Sequence, residues 1–171
     1  MLRLGHLVNL PPILDFEASS LSDCSYPISA GLFIKGEIKY WIIKPEPEWI
    51  DWSLSSQAIH GLKRSYIEEV GISVADLRLE LEKLLIGVDT IYSDNPEWEL
   101  RWLSHLGKFK IEILDVKELA SNTSHETWRK TFESQFRVHD IIPHRADHDV
   151  LAMCFTLHEL KSIEICKNLR E

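Results

Sequence analysis

The sequence predicts an α/β fold: a mixed five-stranded sheet, three antiparallel strands first and parallel additions after them, flanked by helices. Three observations carry this. Apolar segments separated by short polar turns fill the chain up to Ile43. Lys35-Gly36 joins two of them as a hairpin turn would. From Ser73 onward, helical and extended patterns alternate, which is the order that gives parallel strands covered by helices.

Each element follows from its local pattern. Pro11-Pro12 ends an irregular N-terminal segment, and Ile13–Ala18 reads as the first strand. Ser19–Ser25 is a polar loop, Tyr26–Ile34 the second strand and Glu37–Ile43 the third. Pro45 and Pro47 break the sheet. Ser53–Ala58 starts a short helix with Ser53 as its cap, and His60-Gly61 ends it. Ser73–Ile86 is an amphipathic helix with Val74, Leu77, Leu81, Leu84 and Leu85 on one face, and Gly87 is its expected cap. Val88–Tyr92 is the fourth strand. Glu97–Leu106 is a helix that aligns Trp98, Trp102 and Leu106, and Phe109–Leu114 is the fifth strand. Thr123–Phe136 and Val150–Lys167 are the last two helices. Repeats and low-complexity tracts are absent, so residues 1–171 read as one domain with its core at about 13–167.

Composition narrows the function classes. Nineteen basic against 27 acidic residues give 19 − 27 = −8. That charge argues against a broad basic footprint for nucleic acid. A nucleic-acid enzyme whose site charge comes from metal ions stays open. Met1–His6 lacks the apolar run of a secretory signal, and no stretch nears the roughly 20 apolar residues of a membrane span. Cys24, Cys154 and Cys166 are odd in number and lack C-x-x-C spacing, so they read as reduced packing thiols of a cytoplasmic protein.

Three strings carry chemistry. Ile13-Leu14-Asp15-Phe16-Glu17 puts two carboxylates on one side of an apolar strand, because residues i and i+2 point the same way. Burying such a pair is unfavourable unless a cation cancels its charge. Solvent exposure on an edge strand is the bland alternative. Ser93-Asp94-Asn95-Pro96-Glu97-Trp98-Glu99 ends a strand and opens a helix with three acids. Ordinary capping explains Pro96 and Glu97 but leaves the concentration of acids unexplained. His144-Arg145-Ala146-Asp147-His148-Asp149 opens the last helix and adds another carboxylate beside a histidine. A zinc site from His139, His144 and His148 is a weaker reading, since no cysteine or His-x-x-x-His set completes it. A histidine–aspartate phosphohydrolase would be all-helical, which the strands oppose.

Taken together, these strings resemble the DEDDh 3′–5′ exonucleases of the ribonuclease H-like fold, a family that includes proofreading exonucleases, ribonuclease T and oligoribonuclease. The resemblance runs from Ile13 to about Leu160. D-x-E matches at Asp15 and Glu17, and H-x-A-x-x-D at His144, Ala146 and Asp149. His60-Gly61 resembles the segment that the family places near the terminal nucleotide. The middle motif departs: Glu99 stands where the family has aspartate, and Asp94 is the alternative third carboxylate.

The resemblance implies two Mg²⁺ or Mn²⁺ ions, about 3.5–4 Å apart, held by Asp15, Glu17, Glu99 and Asp149. It implies His144 as general base, and a single-stranded nucleic acid 3′ end that loses 5′-monophosphates. Of the two middle acids, only one needs to face the metals. Asp94, sitting before Pro96, is expected to cap the helix instead. The alternative function is an impaired, exonuclease-fold binding module for nucleic acid ends or a protein partner. The tryptophan-rich loop around Trp41, Trp49 and Trp52 reads first as packing, and it permits a homodimer. Lys63-Arg64 and Arg129-Lys130 read as solvated surface.

Overall fold

The computed structural model describes residues 10–120 and 122–168, with side chains as far as Lys161. The expectation for Met1–His6 lies outside the described residues, and that for Cys166 outside the described side chains. Five strands form one sheet in the order β3-β2-β1-β4-β5, with β1 at Ile13–Ala18, β2 at Pro27–Ile34, β3 at Glu37–Ile42, β4 at Thr90–Ser93 and β5 at Glu112–Asp115. β1, β2 and β3 pair antiparallel, while β4 runs parallel to β1 and β5 parallel to β4. The expected mixed five-stranded sheet is therefore present. Lys35 and Gly36 both take left-handed backbone, as the β2–β3 hairpin turn requires.

Among the described residues, six helices flank the sheet: α1 Leu54–His60, α2 Arg64–Val70, α3 Val74–Leu84, α4 Pro96–Leu106, α5 His125–Val138 and α6 Ala146–Asn168. A 3-10 turn at Val116–Ala120 follows β5. None of the described helices is long and apolar enough to cross a membrane. Ser53 and Ser73 cap α1 and α3, accepting from the Ser56 and Asp76 amides, as their positions predict. Gly87 does not cap α3. The helix ends at Leu84 with Leu85 as its C-cap, and Gly87 serves the left-handed turn after it. α2 was not foreseen.

β1 explains the fold's asymmetry. Leu14 and Phe16 pack with Leu77, Leu81, Trp102 and Leu106, the core under α3 and α4. Ile13, on the opposite face, packs with Phe33, Val150, Met153 and Leu157 under α6. Alternation puts Asp15 and Glu17 on the same face as Ile13. A register shift between Glu17 and Ala18 then turns the strand end.

The approach of α6 to the sheet depends on a missing side chain. Gly31 lies opposite Asp15 on one side and Tyr40 on the other. A Cβ on Gly31 would overlap the Ala146 backbone carbonyl. Ala146 is itself fully buried. Glycine on β2 and alanine at the first turn of α6 thus let backbone meet backbone, which brings the start of α6 down beside β1.

Candidate active site

Because β1 and β4 are parallel, their carboxyl ends share one edge of the sheet, the usual place for a site in such a fold. Asp15 and Glu17 come from β1, Asp94 from the residue after β4, Glu99 from the first turn of α4, and Asp149 from the first turn of α6. His144 precedes α6. These six residues form two groups. Ligand atoms of Glu17, His144 and Asp149 lie within 4.8 Å of one another, and so do those of Asp15, Asp94 and Glu99. The acids of one group also repel those of the other: Asp15 responds to Asp149 and Glu17, and Glu99 to Glu17.

The electrostatics follow from crowding. Burial, then Glu99, Asp149, Asp94 and Glu17, holds the Asp15 carboxyl well above its ordinary range. Burial and Asp94 do the same to Glu99, opposed by the Phe16 backbone amide. Glu17 is pushed up to about 7, chiefly by burial, although a hydrogen bond with Asp149 pulls it down. Asp149 rises by burial and the charge of Glu17, against the backbone amides of Arg145 and His144. Without cations, burial and mutual repulsion disfavour the charged form of each of these acids.

The donor set fits hard divalent ions, which take carboxylate oxygens. Glu99 is 2% exposed, and its Oε2 is buried without a hydrogen-bond partner among the described residues. A buried acid oxygen left unpaired is costly unless a cation meets it.

The arrangement amends the sequence reading at two points. Asp94 does not cap α4: Asn95 takes the N-cap position, no side chain caps the helix, and Asp94 joins Asp15 and Glu99. Both middle acids therefore reach the cluster. The zinc trio does not assemble among the described residues. His139 stacks on Phe155 at 3.7 Å, and His148 Nδ1 accepts the Ile142 amide at 2.9 Å. His144 adopts a left-handed backbone (φ 59°), a conformation uncommon outside glycine that the surrounding structure must hold.

His60 and Gly61 lie across from His144 and line the same cavity, of about 390 Å³. His60 Nδ1 accepts the Leu62 amide at 3.0 Å. Burial, reinforced by His144, lowers its pKa to about 4, so the ring is neutral near pH 7. The tryptophans have packing roles: Trp49 stacks on Tyr26, Trp52 donates to Gln57, and Trp41 packs against the core under α3 and donates to Glu80. Arg64 is structural: it donates to Tyr26 Oη and to the Trp49 carbonyl.

Two positioning residues escaped the sequence reading. Gly31 is one. Asp51 is the other: it accepts from the hydroxyls of Ser19 (2.9 Å), Ser20 (2.6 Å) and Ser22 (3.0 Å), while the Ser53 amide bonds the Ser19 carbonyl. The loop after Glu17 is thereby tied to the segment that leads into α1 and His60. Three serines in a loop carry no sequence signal for a partner some thirty residues away.

No protein-family model matches this sequence, and no curated protein matches it. Solved structures do. E. coli exonuclease I in complex with a dA16 oligonucleotide superposes with a TM-score of 0.63 at 14% identity, covering 86% of this chain and 40% of that one. A product-bound exonuclease I gives 0.62 at 13% identity, over 89% and 43% of the two chains. At such identities the likeness is one of fold, and the chain has the ribonuclease H-like fold. It spans about two fifths of the exonuclease I chains that it matches.

Proposed function

We propose that this chain is a metal-dependent 3′–5′ exonuclease that removes nucleotides from a single-stranded 3′ end as 5′-monophosphates. The observation that carries this reading is the convergence of five acids and His144 at the carboxyl edge of β1 and β4. It is supported by the fold shared with exonuclease I, whose structure with dA16 contains an oligonucleotide at a like fold. Asp15, Glu17, Asp94, Glu99 and Asp149 would hold Mg²⁺ or Mn²⁺ ions, two in number by resemblance. Such ions, when bound, offset charge at the scissile phosphate and lower the pKa of water.

The chain's own residues do the rest. A His144 imidazole nitrogen takes a proton from the attacking water, the usual task of a histidine base. Ligand atoms of Glu17 and Asp149 lie within 4.8 Å of it. The water oxygen forms a new bond to phosphorus as the 3′ oxygen leaves, so the products are a 5′-monophosphate and a shortened strand with a 3′ hydroxyl. A cytoplasmic location, with Cys24 and Cys154 as free thiols, and a homodimer belong to the same reading.

The test is degradation of 5′-labelled single-stranded DNA, single-stranded RNA and dinucleotides with and without Mn²⁺. Stepwise 3′ shortening that needs Mn²⁺ and disappears in Asp15→Ala is the expected result. Wild-type activity in Asp15→Ala would move the site elsewhere. An inactive parent protein that still binds strand ends would make the domain a binding module.

A further inference from the structure

Pro143 and His144 carry the chain from the α5–α6 loop to α6, and both ends of that crossing are tied to His148. On the far side, the Arg145 carbonyl accepts the His148 amide at 2.7 Å and the Asp149 amide at 2.9 Å. The Arg145 guanidinium is held by both Asp147 carboxylate oxygens and lies over the Tyr40 ring at 5.1 Å. On the near side, the Ile142 amide donates to His148 Nδ1 at 2.9 Å. A backbone amide can only donate, so Nδ1 accepts and the ring proton sits on Nε2. The Ile142 carbonyl, 3.3 Å from the same nitrogen, then receives no proton from it. His148 thus closes a bracket around His144 with its ring at one end and its own amide at the other.

The bracket leaves little slack. Proline fixes its own φ and restricts the residue before it to extended backbone, so Pro143 cannot absorb the turn. The chain makes it at His144, with φ at 59°. A residue other than glycine keeps such backbone only where its surroundings over-determine it. The loop before the bracket lies along the same helix: Ile141 packs with Leu151 and Ala152, and His139 stacks on Phe155. His148, Leu151, Ala152 and Phe155 follow the i, i+3, i+4, i+7 spacing of one helix face. Ile142 is 64% exposed, so its amide rather than its packing holds this point of the loop.

We propose that His148 is a positioning residue that acts through His144: its Nδ1, by holding the Ile142 amide, keeps His144 in the left-handed backbone that sets the imidazole beside Glu17 and Asp149. The inference rests on the exonuclease reading, in which His144 takes the proton of the attacking water. Without the acceptor, Ile142 is released, His144 relaxes toward ordinary backbone, and its ring leaves the acids. A misplacement of about 1 Å can slow a reaction roughly 10²-fold. Substrate binding and the carboxylates are untouched by the change, so the loss falls on kcat and spares KM.

The experiment compares the full chain with His148→Leu, which keeps bulk and removes the acceptor, and His148→Asn, whose Oδ1 falls close to the place of Nδ1. Steady-state hydrolysis in Mn²⁺, the thermal shift produced by Mn²⁺, and NMR amide exchange at Ile142 are measured in each. In His148→Leu, kcat should fall about 10- to 100-fold with KM within about twofold of the parent. The Mn²⁺ shift should be kept and the slow exchange of the Ile142 amide lost. His148→Asn should restore that protection and bring kcat to within about threefold of the parent. Parent-like kcat in His148→Leu, an equal loss of kcat in both variants, or fast Ile142 exchange in the folded parent overturns the proposal. So does a loss of kcat matched by a lost Mn²⁺ shift, which would make His148 a support for its neighbour Asp149. If the parent hydrolyses nothing, the exonuclease reading falls, and the HN–Hα coupling of His144 decides the positioning role by itself. A left-handed value kept in His148→Asn and lost in His148→Leu sustains that role, and a value unchanged in both overturns it.

Discussion

Glu99 stands where the resembling family has the shorter aspartate; it projects from the first turn of α4 and is buried with an unpaired oxygen near Asp15 and Asp94. Glu99→Gln removes the charge and keeps the shape. Its activity should drop at least about 100-fold, the upper end of what even the outer partners of a metal site contribute. Its melting temperature in EDTA should rise, because a repelling acid is gone. Asp94→Asn should lose activity too, at least roughly tenfold, since Asp94 caps nothing; rate assays on both variants decide between this and the capping role expected from its sequence position. For His144→Ala, turnover should fall by about 10² to 10⁴, while thermal stabilisation by Mn²⁺ is largely kept. Loss of that stabilisation would instead make His144 a metal ligand.

At the scale of elements, the site depends on how closely α6 approaches β2. Gly31→Ala forces a methyl group into the Ala146 carbonyl, with backbone on both sides and no flexible side chain to yield. Overpacking of this kind typically costs about 1–3 kcal/mol. It should also lift His144 and Asp149 away from Glu17. Denaturant unfolding should show the loss of stability, and Mn²⁺ should stabilise this variant less than the parent. The helices also show what a local pattern can reveal. α3 announces itself through Ser73 and a buried Leu77–Leu81 pair. α2 has no side-chain cap and buries only Ile67, so neither capping nor periodicity marks it. It is held instead by its neighbours, through Arg64 on Tyr26 and the Trp49 carbonyl.

At the scale of the molecule, the acid cluster links stability to pH and to metal. Glu17 moves from 4.5 to about 7 on folding, and Asp149 is also raised. The folded state therefore holds protons that the unfolded chain releases. Their contribution is fully present below the unfolded values and is lost as pH rises through the folded ones. In EDTA the melting temperature should fall between about pH 5 and pH 8. Mn²⁺ should reverse this, with a gain that grows with pH as the ligands deprotonate. A melting temperature that rises with pH in EDTA would contradict the crowding of these acids.

The sequence by itself determined the sheet and its mixed sense, because strand alternation, the Lys35-Gly36 turn and the helical faces are local patterns. It also offered Asp15 and Glu17, as paired acids in an apolar strand, and, through the motif resemblance, His144, Asp149 and Glu99 with Asp94 as the alternative third carboxylate. Tertiary structure alone decided that Asp94 joins Asp15 and Glu99 rather than capping α4, that Gly31 seats α6, that three serines converge on Asp51, and that Arg145 lies over Tyr40. Each of these is a contact between segments far apart in the chain. Its energy depends on distance and burial, which are fixed only when the parallel β1–β4 pairing and the close packing of α6 bring the carboxyl ends of the strands together.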